Sequence, residues 1–201
     1  ALDTQGDRET TVMAWAGDGG TFDIGLQALS GAAERNENIL YVCYDNEAYM
    51  NTGIQRSSAT PYGAWTTTTP SRKHQLKKDI IQILAAHQIP YAATATIAQP
   101  EDLVRKVEKA HRLRGTRFIQ ILAPCPPGWK IDSDQTVRLA RLAVQTRMFP
   151  ILEVEDGLRY RIEQPDTPQP VETYLSRQGR FRDLTREEIG AIQREVDRRW
   201  R

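Results

Sequence analysis

Residues 11–23 read TVMAWAGDGGTFD, and this succession of an apolar run and a glycine turn decides the architecture. The run at 11–16 is short, rich in β-forming residues and ends at glycine, which predicts a buried strand. The GDGGTFD segment is a turn that only glycines fit. After it, Ile24, Leu26, Ala28, Leu29 and Ala32 recur at helical spacing, with Thr21 or Asp23 available as N-cap. A second apolar run, NILYVCY at 38–44, follows that helix. Two strands joined through a crossover helix are expected to be parallel neighbours with a right-handed connection.

The alternation continues outward from there. Helices are predicted over 72–87, 101–113 and 132–146, and strands over 91–96, 117–123 and 149–154, with 158–162 as a hairpin partner across Gly157. This pattern predicts an α/β fold, doubly wound, with a mainly parallel sheet and helices on both faces. Residues 1–164 are read as one α/β domain. Pro165, Pro168 and Pro170 mark 165–201 as a linker followed by a helix from about Thr185, expected to pack on a partner subunit.

The composition sets limits. The 201 residues, 39% hydrophobic and 26% charged, suffice for one compact α/β domain. Lys and Arg number 27 against 26 Asp and Glu, a net charge of +1 that gives no drive toward nucleic acid or an anionic membrane. Arg177, Arg180, Arg182, Arg186, Arg194, Arg198, Arg199 and Arg201 cluster late, but Glu187, Glu188, Glu195 and Asp197 are interleaved with them, as on a solvated helix. No apolar run reaches the ~20 residues that cross a bilayer and no signal peptide is recognisable, so a cytoplasmic location is expected. Two cysteines, Cys43 and Cys125, are too few for a disulfide framework; each is a buried small hydrophobe or a metal ligand. The chain opens on Ala1 and a polar stretch, and reads as one entered partway through a longer protein.

Ligands of doubly wound sheets bind beyond the carboxyl ends of the strands. Three loops are expected there: 17–23, 45–70 and 124–129. Gly17, Gly19 and Gly20 let the backbone approach an anion closely, with amide hydrogens facing it. Asp18 puts a carboxylate into the same turn, which would repel a diphosphate unless a cation lay between. Mg²⁺ resolves the conflict, because it takes about six oxygens, from one or two carboxylates and from phosphate. A GDG tripeptide alone equally fits a strand-ending turn. Beside it, however, the loop DNEAYMN (45–51) offers the amide oxygen of Asn46 and irregular backbone carbonyls.

GDG followed, across a helix and a strand, by an asparagine loop resembles the thiamine diphosphate motif of transketolases, acetolactate synthases and pyruvate dehydrogenases. The string YDNEAYMNTGIQRSSATPYGAWTTTTP (44–70) is similar to one branch only, the β subunit of the pyruvate:ferredoxin oxidoreductase family. That likeness covers about residues 12–156. It implies a thiamine diphosphate-binding fold in which Asp18 and Asn46 give side-chain oxygens, and Ala48 its carbonyl, to Mg²⁺. Gly17, Asp18, Gly19 and Gly20 would surround the diphosphate, Asn46 to Asn51 would wrap the cofactor with Tyr49 and Met50 beside it, and Asn51 would lie nearest the reacting carbon as the catalytic residue. Ordinary loop packing remains open for Tyr49 and Met50, and a turn role for Asn51. The activating glutamate is expected from a partner subunit or another domain, so Glu47 is not assigned as a base, and His74, His87 and His111, on predicted helices, read as packing.

The resemblance further implies oxidative decarboxylation of pyruvate or a related 2-oxoacid to acyl-CoA and CO₂, with electrons leaving through iron-sulfur clusters to ferredoxin. Its implied partners are other subunits of the same oxidoreductase, ferredoxin, coenzyme A and the 2-oxoacid. Cys125 in LAPCPPGW would be the fourth ligand of a [4Fe-4S] cluster whose other cysteines lie in an upstream segment not found here; on its own it reads as a buried thiol. Cys43, within a strand, reads as structural. Residues 66–69 either border substrate or coenzyme A or form a solvated polar loop. Two alternatives stand beside this reading: a non-redox thiamine diphosphate-dependent decarboxylase or carboligase, separable by iron content, and a non-catalytic α/β scaffold subunit, separable by cofactor titration.

Overall fold

Six strands, β1 (Val12–Gly17), β2 (Ile39–Asp45), β3 (Tyr91–Thr96), β4 (Arg117–Leu122), β5 (Ile151–Glu155) and β6 (Arg159–Glu163), form one sheet in the order β1-β2-β4-β3-β5-β6. The first four are mutually parallel, while β5 runs antiparallel to β3 and β6 to β5 across the turn at Gly157, whose φ is +68°. The computed structural model describes residues 3–7 and 10–200; Ala1, on which the reading of the chain's opening rests, and Arg201 of the basic cluster lie outside the described residues.

The period-two alternation of the strands sorts their side chains to two faces. Cys43, Ala92 and Phe118 point to one face, covered by α1 (Leu26–Glu34) and α2 (Ile80–Ala85). Leu40, Val42, Ala93 and Ile119 point to the other, covered by α3 (Pro100–Arg112). Every residue of β3 and β4 is buried, as expected of central parallel strands between helical layers. The expected doubly wound α/β fold is therefore present.

A third apolar cluster includes Leu122 at the carboxyl end of β4. It gathers α4 (Pro126–Trp129), α5 (Thr136–Gln145), α6 (Glu172–Leu175) and α7 (Arg186–Arg199) through Trp129, Leu139, Tyr174, Leu175, Ile192 and Val196. Residues 165–200, read from sequence as a linker and a helix for a partner, thus bury apolar side chains on this chain's own core. Thr185 caps α7 in a reciprocal box: its Oγ1 accepts from Glu188 N at 3.2 Å, and Glu188 Oε2 accepts from Thr185 N at 2.8 Å.

Several local expectations need correction. Strand β1 is not buried: it is the edge of the sheet, with Met13 and Trp15 each 58% exposed and Trp15 stacked on Tyr44. The helix after the glycine turn is split into a π-helical stretch, Gly19–Ile24, and α1, and neither Thr21 nor Asp23 caps it. Thr21 Oγ1 donates instead to Gly17 O, and Asp23 Oδ2 accepts from Ser58 N. The helix expected over 72–87 shrinks to α2, because hydrogen bonds of the Lys73 and Lys77 ammonium groups hold the chain before it in an irregular path and Asp79 caps only the last stretch. His74 and His87 therefore lie outside helices, whereas His111 stays on α3. Among the described residues no helix is long and apolar enough to cross a membrane.

Candidate active site

The parallel register sets Gly17 of β1 beside Tyr44 of β2, and Asp45 of β2 beside Leu122 of β4. The three loops singled out in the sequence consequently leave the sheet side by side. Asp18 begins the first, Asn46 the second, and Cys125 lies in the third.

Asp18 is buried, and the Oγ of Ser57 donates to its Oδ2 at 2.5 Å. Burial, reinforced by the neighbouring charge of Asp45, pushes its carboxyl up to about 7. A divalent cation would oppose both effects. The other oxygen, Oδ1, faces the side-chain amide of Asn46. Turned with its nitrogen inward, that amide donates to Asp18 Oδ1 and to Ala48 O, each at 2.8 Å. Turned with its oxygen inward, it adds a third oxygen to the same corner. Octahedral Mg²⁺ with ligands at about 2.1 Å sets adjacent ligand oxygens about 3 Å apart. The two separations at Asn46 match that spacing, so half a turn of one amide makes a three-oxygen corner for a cation.

Tyr49 and Met50 tie the second loop to its neighbours. Tyr49 Oη donates to Gly19 O at 3.0 Å, and its ring lies so close that a Cβ at Gly19 would stand 2.2 Å from Tyr49 Cε1. Only glycine fits there. On the other side a Cβ at Gly128 would stand 2.1 Å from Met50 Sδ, and the buried Trp129 donates from Nε1 to Asn46 O at 2.9 Å. Asn51 is exposed, at the head of a turn that the N–H groups of Gly53 and Ile54 close onto Met50 O. Its side chain is free to meet a ligand.

Cys125 is half-buried against the apolar cluster, and Cys43 is fully buried in β2, where burial pushes its thiol up. Both are free thiols. Among the described residues no group of three or more His, Cys, Asp or Glu side chains is placed to hold a metal.

Beneath the three loops lies a buried charge network that the sequence did not disclose. Asp45 Oδ2 accepts from Lys77 Nζ at 2.5 Å and from Gln120 Nε2 at 2.6 Å. Lys77 also pairs with Glu47 Oε1 at 2.9 Å, and Arg180 closes the chain onto Glu47 Oε2 at 2.6 Å while stacking over Trp129. Burial would raise the Glu47 carboxyl, but Lys77 and Arg180 outweigh it and hold it below the ordinary value. A carboxylate paired twice in this way is a strut and not a base. Its φ of +69° makes the sharp bend that aims Asn46 and Ala48 at Asp18.

Residues 2–121 match the family described as thiamine pyrophosphate enzyme, C-terminal TPP binding domain. The chain is similar to ketoisovalerate oxidoreductase subunit VorB of Pyrococcus horikoshii, 53% identical over 204 residues that cover 98% of this chain and 65% of the relative. It is also similar to pyruvate synthase subunit PorB of Methanothermobacter marburgensis, 52% identical over 202 residues that cover 98% of this chain and 70% of the relative. A solved structure of 2-oxoglutarate:ferredoxin oxidoreductase from Magnetococcus marinus, with 2-oxoglutarate, coenzyme A and succinyl-CoA bound, superposes with a TM-score of 0.58 at 25% identity, over 70% of this chain and 56% of that one. The chain thus spans 65% of the VorB relative's length. With the glycine turn and the asparagine loop meeting at one corner, the chain belongs to the PorB and VorB subunit family of 2-oxoacid:ferredoxin oxidoreductases, through its thiamine pyrophosphate-binding domain.

Proposed function

We propose that this chain holds thiamine diphosphate through Mg²⁺ as the cofactor-binding subunit of a 2-oxoacid:ferredoxin oxidoreductase. The whole enzyme, on this reading, converts pyruvate or a branched-chain 2-oxoacid to acyl-CoA and CO₂ and passes electrons to ferredoxin in the cytoplasm. The observation that carries it is the corner where Asp18 Oδ1, the Asn46 amide and Ala48 O meet beside the glycine turn.

When bound, thiamine diphosphate supplies the nucleophile for the 2-oxo carbon and the sink for the electron pair left by departing CO₂. Asp18, Asn46 and Ala48 would hold the metal, and Gly17, Gly19 and Gly20 would leave room for the diphosphate. Tyr49 and Met50 orient the loop from either side. Asn51, with a donor and an acceptor on one amide, would meet the substrate oxygen. Glu47 is committed to Lys77 and Arg180, so the glutamate that activates the cofactor would come from a partner chain. Cys125 would give one ligand to a [4Fe-4S] cluster completed by cysteines outside this sequence. The exposed side of α7 would serve as a surface for a partner subunit.

The test is 2-oxoacid-dependent reduction of a viologen dye by anaerobically purified protein with its partner chains, with and without coenzyme A, alongside thiamine diphosphate and iron analysis. Reduction that requires a 2-oxoacid, with both cofactors bound, is the expected result. Bound thiamine diphosphate without iron or dye reduction would move the assignment to non-redox decarboxylation or ligation.

A further inference from the structure

We infer that Ser57 is the positioning residue of the metal corner and that the buried side chain of Lys73 fixes it there; the inference rests on the Mg²⁺–thiamine diphosphate reading. Ser57 is 39 positions from Asp18 in sequence and 1% exposed. Its Oγ accepts the Ala59 N–H at 3.1 Å, which leaves the hydroxyl proton directed at Asp18 Oδ2. With Oδ2 engaged, Oδ1 is the oxygen turned toward Asn46 and Ala48. The same turn touches the second ligand loop: Thr60 Oγ1 accepts from Ser57 N at 3.0 Å and donates to Glu47 O at 2.7 Å, one residue before Ala48.

Lys73 lies under this turn with 1% of its surface exposed. Its Nζ donates to Thr60 O at 2.5 Å and Ser58 O at 3.2 Å, with Ser57 O and Leu76 O at 3.5 Å. Three of these partners are backbone carbonyls of the 57–60 turn, and the fourth is the carbonyl of Leu76, three residues after Lys73. Burying a cation without a directly paired carboxylate is costly, and an apolar side chain of similar length would fill the space at less cost. The ammonium does what an apolar chain could not, drawing four carbonyls to one point and so fixing the backbone that carries Ser57. Groups that orient a ligand in this way commonly contribute ten- to a hundredfold to metal affinity.

The experiment titrates Mg²⁺ against the full-length protein, purified with its partner chains, at fixed thiamine diphosphate, and measures cofactor retained on filtration together with the melting temperature. Ser57→Ala removes one oxygen from a small buried side chain, and Lys73→Met is the second variant. The expected result is half-saturation at about tenfold higher Mg²⁺ or more in both variants. Retention at saturating Mg²⁺, and the melting temperature of Ser57→Ala, should stay near the unsubstituted protein's. An unchanged Mg²⁺ requirement in Ser57→Ala would overturn the inference and leave the cofactor reading standing. Loss of retention at every Mg²⁺ concentration with a lowered melting temperature would reduce Ser57 to a packing role and also overturn it. Absence of Mg²⁺-dependent binding in the unsubstituted protein would remove the cofactor reading beneath it.

Discussion

The indole Nε1 of Trp129 donates to the main-chain oxygen of Asn46 at 2.9 Å, so the turn after β4 holds the loop after β2 by its backbone. Trp129→Phe keeps most of the ring but deletes this donor and leaves the carbonyl without its partner. It should cost about 1–3 kcal/mol of stability and weaken retention of thiamine diphosphate, read by thermal unfolding and by cofactor analysis after gel filtration. Full retention with an unchanged melting temperature would show that Met50 packing on Gly128 suffices to seat the loop.

Asp18→Ala and Asn51→Ala should separate binding from turnover. The first removes the charged oxygen donor, and the protein should emerge from gel filtration without cofactor. The second alters an exposed side chain outside the Asp18–Asn46–Ala48 corner, so cofactor should remain while 2-oxoacid-dependent dye reduction is lost. Normal turnover by loaded Asn51→Ala protein would remove Asn51 from the chemistry.

Lys77→Met leaves Asp45 and Glu47 facing each other with one cation, Arg180, on the Glu47 side only. Deleting one member of a buried ion-pair network commonly costs about 3–5 kcal/mol, because the uncompensated charges stay buried. The urea midpoint should fall accordingly. A midpoint within error of the unsubstituted protein's would mean that Gln120 and Arg180 satisfy the network without Lys77.

Acid stability should depend on Glu153, at the junction of β3, β5 and α3. Burial alone would raise its carboxyl, but hydrogen bonds from Lys109, Arg105 and Tyr91 outweigh this and bring it to about 2. Because the folded value lies below the unfolded one, the contribution is fully present above about 4.5 and is lost as pH falls toward 2. On the order of 3 kcal/mol is at stake. Glu153→Gln should flatten the dependence of unfolding free energy on pH between those limits, and an identical slope in the variant would count against the assignment.

That the loops of Asp18 and Asn46 leave the sheet side by side was legible because glycines beside a carboxylate, and an asparagine beside a strand end, restrict what the backbone and charges can do. That β1 and β2 are parallel neighbours followed from the crossover between them. What was not legible depends on distant partners. Nothing near Ser57, Lys73 or Lys77 shows that they face Asp18, a carbonyl cage or Asp45, and Arg180 meets Glu47 across 133 positions. The apolar run of β1 reads the same for an edge strand as for a central one, so the exposure of Trp15 could not be foreseen. The helix expected over 72–87 failed for a related reason: Lys73 and Lys77 have good intrinsic helix propensity, and tertiary contacts of their ammonium groups override it.

The bond between Arg180 and Glu47 also has a consequence for biosynthesis. Glu47 and Lys77 emerge from the ribosome 30 residues apart, but Arg180 follows Glu47 by 133. At about 5–20 residues per second the nascent loop after β2 waits roughly 7–27 s for its last strut. The first half of the sheet can assemble during that interval, whereas the loop acquires its final restraint only when the late-translated segment arrives.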